Sequence, residues 1–358
     1  MHEFSGVRAF PQLFAHPHVH NCSDKRATID LVGKRKVRPV TAPAQAFAAR
    51  TAADARAETL ALLGLATVHG IGYRFLHRIF LSGIPFSAVL ACRSEDELRD
   101  LFESASMKNS KSLAQAIAAD RQLIEVRAQL MLERLVEERV TIVHEFEPAF
   151  PKALLGIPSR PGWLFTMGNL DVLDQPLVAV VGTRTPTDTG KFITECVCRL
   201  LEQTNIATVS GLAAGVDERV HALSLSLRVP TVAVLGTGIL RDYPSYSRPM
   251  RDAIVARGGC VLTEYLPEDG PGKDTFVWRN RLQAGLSSMV VPTEWQIKSG
   301  TSHTVRFALD AGKPVVGVDT SVEPSETSRF LMKHGNVRFR LPHEAPDLLE
   351  YICRVLAS

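Results

Sequence analysis

No C-x-x-C pair occurs among the six cysteines, and Cys196 and Cys198 stand two apart on an expected helix, where they face different directions. This excludes a zinc ribbon and favours a reduced, cytosolic protein without a structural metal. No run approaches the length of a membrane span, and the start MHEFSGVRAFPQLFAHPHVHNC lacks the charged and apolar regions of a signal peptide, so a soluble protein without a membrane partner is expected. The formal net charge is only +3, which carries no argument for a polyanionic partner unless the cations are gathered in one place. The dinucleotide fingerprint G-x-G-x-x-G is also missing at the turn where it would be expected. In PLVAVVGTRTPTDTGKF only Gly182 and Gly190 are present, at the wrong spacing.

What is present divides the 358 residues into several pieces. Residues 1–50 hold prolines, scattered histidines and the basic cluster Gly33–Arg38 without sustained periodicity, and read as a disordered basic extension. His16, His18 and His20 alternate there, and lone histidines in such a segment are commonly spectators, so no metal site is assigned. Residues 51–139 carry apolar residues at three- and four-residue spacing and form a small helical domain. Its HGIG stretch, His69–Gly72, is similar to the turn of a helix-hairpin-helix element, which either packs two helices or offers backbone N–H groups to a nucleic-acid phosphate. Leu123, Val126, Leu130, Leu135 and Val136 are expected to form the buried face of a later helix. Residues 140–176 read as a connector that opens with a short strand.

From residue 177 to about 345, strands alternate with helices in the manner of an open parallel sheet: LVAVV, ATVS, TVAVL, CVLTE, SMVVP, PVVGV and VRF. A C-terminal helix is expected over 346–358. Leu177–Val181 is β-branched without polar alternation, as in a strand covered on both faces. Thr183 or Thr185 is expected to cap the helix that follows. Ligands of such sheets bind at the carboxyl ends of the strands. Glycine-bearing turns collect at that edge, with Gly182, Gly211, Gly215 and Gly236 in VVGTR, VSGLAAGVD and VLGTGILRDYP, and Gly300 in KSGTSHT. Taken singly each is a tight turn; together they suggest an oxyanion-binding surface, with Gly211 and Gly215 allowing close approach of a backbone or a phosphate. Asp217 is placed to cap a helix. In GPGKDTFVWRNRLQAGLSS, Lys273, Arg279 and Arg281 are interleaved with Phe276, Trp278 and Asn280, the mixture of cations and rings that suits single-stranded nucleic acid. The segment is expected to start as a loop, with Phe276 exposed and Trp278 packed.

These motifs resemble the DprA/Smf DNA-processing family. VAVVGTR is similar to its GSR-type turn with Thr183 in the serine's place, VSGLAAGVD to SGLARGID, and VLGTGILRDYP to LGCGLDxxYP. FVWRNRLQAGLS is similar to FPxRNRIIAGLS, and the likeness runs from about Ala52 to Phe339. It implies an extended Rossmann-like domain after a small SAM-like or helix-hairpin-helix domain. It further implies a homodimer that binds single-stranded DNA, protects it and promotes loading of the RecA recombinase in natural transformation, with no cofactor and no catalysis. By motif, Arg184 is the foremost DNA ligand, with Gly182 and Thr183 adding backbone and hydroxyl contacts. Ser210, Gly211, Gly215, Gly236, Lys273, Phe276, Arg279, Asn280, Arg281, Ser299, Gly300 and Thr301 are expected in the same pocket. Asp319 and Thr320 stand where the family has Pro-Gly, and the resemblance includes no winged-helix segment. The rival reading is a nucleotide-binding sensor or a nucleoside-monophosphate hydrolase with Glu264 or Glu294 as its carboxylate. The PGGxGTxxE motif of such hydrolases is missing.

Overall fold

The computed structural model describes residues 52–107 and 109–357. The basic extension and its histidines lie outside the described residues. Five helices come first: α1 (Ala52–Leu65), α2 (Tyr73–Leu81), α3 (Phe86–Ala91), α4 (Glu95–Ser104) and α5 (Ser110–Glu137). Then follow β1 (Thr141–His144), α6 (Lys152–Leu155), β2 (Trp163–Gly168), β3 (Leu177–Gly182), α7 (Asp188–Thr204), β4 (Ala207–Ser210), α8 (Val216–Leu227), β5 (Thr231–Val234), α9 (Arg248–Ala256) and β6 (Cys260–Thr263). The chain continues through α10 (Lys273–Leu286), β7 (Met289–Glu294), α11 (Thr301–Asp310), β8 (Gly317–Asp319), α12 (Glu326–Lys333), β9 (Arg338–Arg340) and α13 (Ala345–Leu356).

Seven strands form one sheet in the order β1-β2-β6-β5-β4-β3-β7. The five from β6 to β7 are parallel, while β2 runs antiparallel to both β1 and β6. The stretch expected as a connector thus supplies two strands of the sheet. The last two expected strands, β8 and β9, form a small parallel pair of their own, reached from β7 through a single bridge between Val290 and Val315.

Because side chains alternate across a strand, β3 feeds two cores. Leu177, Ala179 and Val181 pack with Leu282 and Leu286 of α10 and Val305 of α11. Val178 and Val180 pack with Val197 of α7, Val220 of α8 and Ile352 of α13. All five of these β3 residues are buried, as a doubly covered parallel strand requires. A third core joins the helical layer to the sheet edge, with Leu62, Leu76 and Phe102 in one cluster with Trp163, Phe165, Leu235 and Ile254. The helical domain and the sheet expected as separate units therefore share a core.

On α5 the buried face is Ala114, Ile117, Ile124, Ala128 and Leu135. Of the five residues expected there only Leu135 is inside; Leu123, Val126, Leu130 and Val136 are exposed. The reason is close packing against α1, where a Cβ on Gly64 would stand 2.6 Å from Ile124 Cγ2. The small residue at this contact is Gly64 on α1, which seats Ile124 and turns the Ile117, Ile124 and Leu135 stripe inward, leaving the neighbouring apolar stripe outside.

The chain leaves β3, steps outward through β4, β5 and β6, and returns along α10 to place β7 on the opposite side of β3. The switch in direction falls between β3 and β7, and a crevice opens beyond their carboxyl ends.

Candidate nucleic-acid interface

The turn after β3 is held from both sides. Thr183 donates its N–H to the Glu294 carbonyl at 2.7 Å, and its own carbonyl accepts from Val216 N at 3.0 Å. Gly215, with φ +90°, lies beneath, and a Cβ there would stand 2.5 Å from the Arg184 backbone. Its bareness admits another backbone, and the Thr183 N–H is engaged within the protein, which leaves the hydroxyl as the group that Thr183 can offer. Thr187, rather than Thr183 or Thr185, caps α7 by accepting from Gly190 N at 3.1 Å. The Arg184 side chain projects into solvent.

Its guanidinium sits 5.5 Å from the centroid of the Phe276 ring. Phe276 belongs to the first turn of α10, not to a loop, because the Thr275 hydroxyl accepts from Gly272 N at 3.1 Å and fixes the helix start. The ring is half-buried. One side lies on Gly236, where a Cβ would be 2.4 Å from Phe276 Cδ1, and Tyr243 sits 4.9 Å away, centroid to centroid. Gly236 thus makes room for a ring. Trp278 is half-buried against the core of the helical layer, with the Arg281 guanidinium 4.4 Å from its centroid.

A groove of about 1010 Å³ opens over this point, with walls from the turn after β3, the start of α10 and the start of α11. It is lined by ten of the fifteen expected residues: Gly182, Thr183, Arg184, Lys273, Phe276, Arg279, Asn280, Ser299, Gly300 and Thr301. Asn280 donates to the Gly300 carbonyl at 3.1 Å, and Thr301 donates to the Gly182 carbonyl at 2.8 Å, so the three walls are tied together.

Ser210, Gly211, Gly215, Gly236 and Arg281 are not in its lining. Ser210 is fully buried and donates to the Val180 carbonyl at 2.7 Å. Gly211 lies under Arg279, where a Cβ would be 1.9 Å from Nη1. Arg281 points the other way, into the interface with the helical layer. Its guanidinium pairs with Glu264 through both nitrogens and donates to the Ser159 carbonyl, while Tyr73 of α2 donates to the same carboxylate at 2.6 Å. With Arg281 and Glu264 3% and 1% exposed, neither reaches solvent. A buried cation needs a partner, and this one's is Glu264, not a phosphate.

Arg279 touches the groove but is 3% exposed and donates to the Val234 carbonyl. Near it Asp217 accepts from Gly211 N at 3.2 Å, holding the preceding turn, and burial pushes its carboxyl up from the ordinary range while Arg279 pulls it back. The groove gains two cations that the motifs did not single out, Lys298 before α11 and Arg306 within it. Arg184, Lys273, Lys298 and Arg306 are exposed and have no ion-pair partner among the described residues. The starts of α10 and α11 add the partial positive charge of their first turns. Glu264 is sealed away, and Glu294 spends one oxygen on Thr187 N at 2.8 Å outside the groove, so neither carboxylate presents a general base to it. No cluster of metal-ligating side chains occurs among the described residues.

The sequence profile of DNA recombination-mediator protein A matches residues 141–344. The chain belongs to that family. It is 37% identical over 184 residues to Protein Smf of Synechocystis sp., a match covering 50% of this chain and 46% of that protein. It is also 37% identical over 176 residues to the DNA processing protein DprA of Streptococcus pneumoniae, covering 49% of this chain and 62% of that one. The matches thus span about half to three-fifths of the length of these relatives. Among solved structures, DprA from Streptococcus pneumoniae superposes with a TM-score of 0.58 at 26% identity, covering 77% of this chain and 98% of that one. DNA processing protein A from Helicobacter pylori, described for its mode of binding single-stranded DNA, gives 0.52 at 27% identity over 60% of this chain and 97% of that one. The Rossmann-like sheet with a helical layer is the fold expected from the motifs.

Proposed function

We propose that the chain binds single-stranded DNA in the groove at the β3/β7 switch point and acts as a binding protein, not a hydrolase. The observation that carries this is the set of four exposed, unpaired cations, Arg184, Lys273, Lys298 and Arg306, around a half-buried aromatic ring on one open groove. Cations spaced along a groove neutralise a backbone, and a ring offers a stacking face to any base. The single-stranded DNA binding described for the Helicobacter pylori relative supports the same reading. On this reading the protein works in the cytosol as a homodimer and hands the strand to a RecA-type recombinase.

Titration with a fluorescent oligo-dT at several salt concentrations tests the proposal. Four phosphate contacts imply a slope of log K against log salt of roughly −3, at about −0.7 per contact on a single strand. A flat salt response, or turnover of nucleoside monophosphates in place of oligonucleotide binding, would remove it.

A further inference from the structure

The turn His69–Gly72 is absorbed by neither the sheet nor the groove. It faces the start of α5 across a cleft of about 460 Å³. His69, Arg74 and Arg78 line one wall, Asn109 and Ser112 the other, and no carboxylate lies in the lining. His69 and Arg78 are exposed, and the Arg78 side chain has no ion-pair partner among the described residues. Asn109 sits at the head of α5 with φ +62°, and its side chain makes no capping bond among the described residues.

Gly72 differs from three of the glycines at the sheet edge. At Gly211, Gly215 and Gly236 a Cβ would collide with the protein itself. At Gly72 the backbone is extended, and a Cβ would meet nothing within 4 Å. The backbone at the head of α2 is therefore open to solvent beside the cleft.

The cleft also adjoins the groove. Arg74 pairs with Asp274 at 2.9 Å, and Asp274 follows Lys273, one of the four free cations. The carboxylate between the two cavities is thus neutralised by a cation of the cleft. We propose that this cleft is a second binding site for the phosphodiester backbone of the strand held in the groove. The strand leaves the groove past Lys273, crosses the Arg74–Asp274 pair and lies against Arg78, His69 and the first turn of α2. This inference rests on the proposed function and extends the bound length onto the helical layer.

Two fluorescent oligo-dT strands separate the two ideas: one of about 6 nucleotides, within the range a single groove takes, and one of about 25 nucleotides, which exceeds it. Arg78→Glu reverses a charge on one wall, and Ser112→Glu adds one on the other; both residues are exposed, and thermal melting checks that the fold is kept. Each variant should bind the short strand as the unaltered chain does. Each should bind the long one about five- to tenfold more weakly at low salt, with a shallower salt slope, as expected when one or two phosphate contacts are lost. Equal affinity for the long strand, or equal loss on both strands, would overturn the second site while leaving the groove intact. A long duplex that outcompetes the long single strand would overturn the assignment of the cleft to a single strand. Failure of the unaltered chain to bind either strand would instead strike the groove reading on which this one stands.

Discussion

The guanidinium of Arg184 lies 5.5 Å from the centroid of the Phe276 ring, so the foremost cation of the groove and its aromatic platform form one unit. The ring orients the arginine, and the arginine covers a face that a base would stack on. Phe276→Ala should weaken oligo-dT binding by about 1 to 3 kcal/mol with little change in salt slope, because no phosphate contact is removed. Arg184→Ala should lower the slope by about 0.7. The double variant should lose less than the sum of the two, since each single change already disturbs the other partner. Strict additivity in the titrations would show that the two side chains act apart.

Gly211 and Gly236 are seats for the side chains of Arg279 and Phe276. Gly211→Ala would place a Cβ 1.9 Å from Arg279 Nη1 and displace a buried guanidinium from the Val234 carbonyl. A loss of roughly 1 to 3 kcal/mol of stability is expected from such overpacking. Gly236→Ala should push the Phe276 ring into the groove and weaken DNA binding more than it lowers the melting temperature. A stable Gly211→Ala protein that fails to bind would restore the glycine to a direct phosphate contact.

Arg281 gives the sharpest contrast with a DNA ligand. Arg281→Ala strands the Glu264 carboxylate, which is 1% exposed, beside Tyr73. Removing one member of a buried pair costs about 3 to 5 kcal/mol. Denaturant unfolding should report that loss, while binding per folded molecule stays normal. Weak binding by a fully folded Arg281→Ala protein would return this residue to the interface.

The strands were legible because an uninterrupted β-branched run such as Leu177–Val181 has one good home, the middle of a doubly covered sheet. The edge where the groove opens was legible for a related reason, since the turns after parallel strands gather at their carboxyl ends. Burial of individual cations was not. Arg279, Arg281 and Arg184 look alike in a sequence, and what separates them is distant company: the Val234 carbonyl and Asp217 at Arg279, and Glu264 with Tyr73 from another layer at Arg281. Lys298 and Arg306 escaped notice because their company is set by the start of α11 and not by a local motif. On α5 two apolar stripes lie side by side, and what decides between them is the seat that Gly64 of α1 offers to Ile124, which α5 alone does not reveal.

His221 links the fold to pH. It is fully buried, with Nδ1 2.8 Å from Thr231 Oγ1 and no hydrogen-bond partner for Nε2 among the described residues. Burial, with a smaller push from the Arg279 charge, lowers its pKa to about 3. In the unfolded chain the imidazole titrates near 6.5, at about its reference value. Between these two values the unfolded state binds the extra proton, so stability rises with pH across that window and is lost on acidification. A single such group contributes at most about 1.4 kcal/mol per pH unit. His77, also lowered by burial, acts in the same direction. Melting temperatures taken from pH 7 down to pH 5 should therefore fall, and His221→Leu should flatten part of that fall, even if its melting temperature at pH 7 is lower. The Thr231 hydroxyl keeps its bond to Thr208 at 2.7 Å in that variant, which limits the cost of the change. An acid limb as steep in His221→Leu as in the unaltered chain would mean that His221 takes up its proton without unfolding.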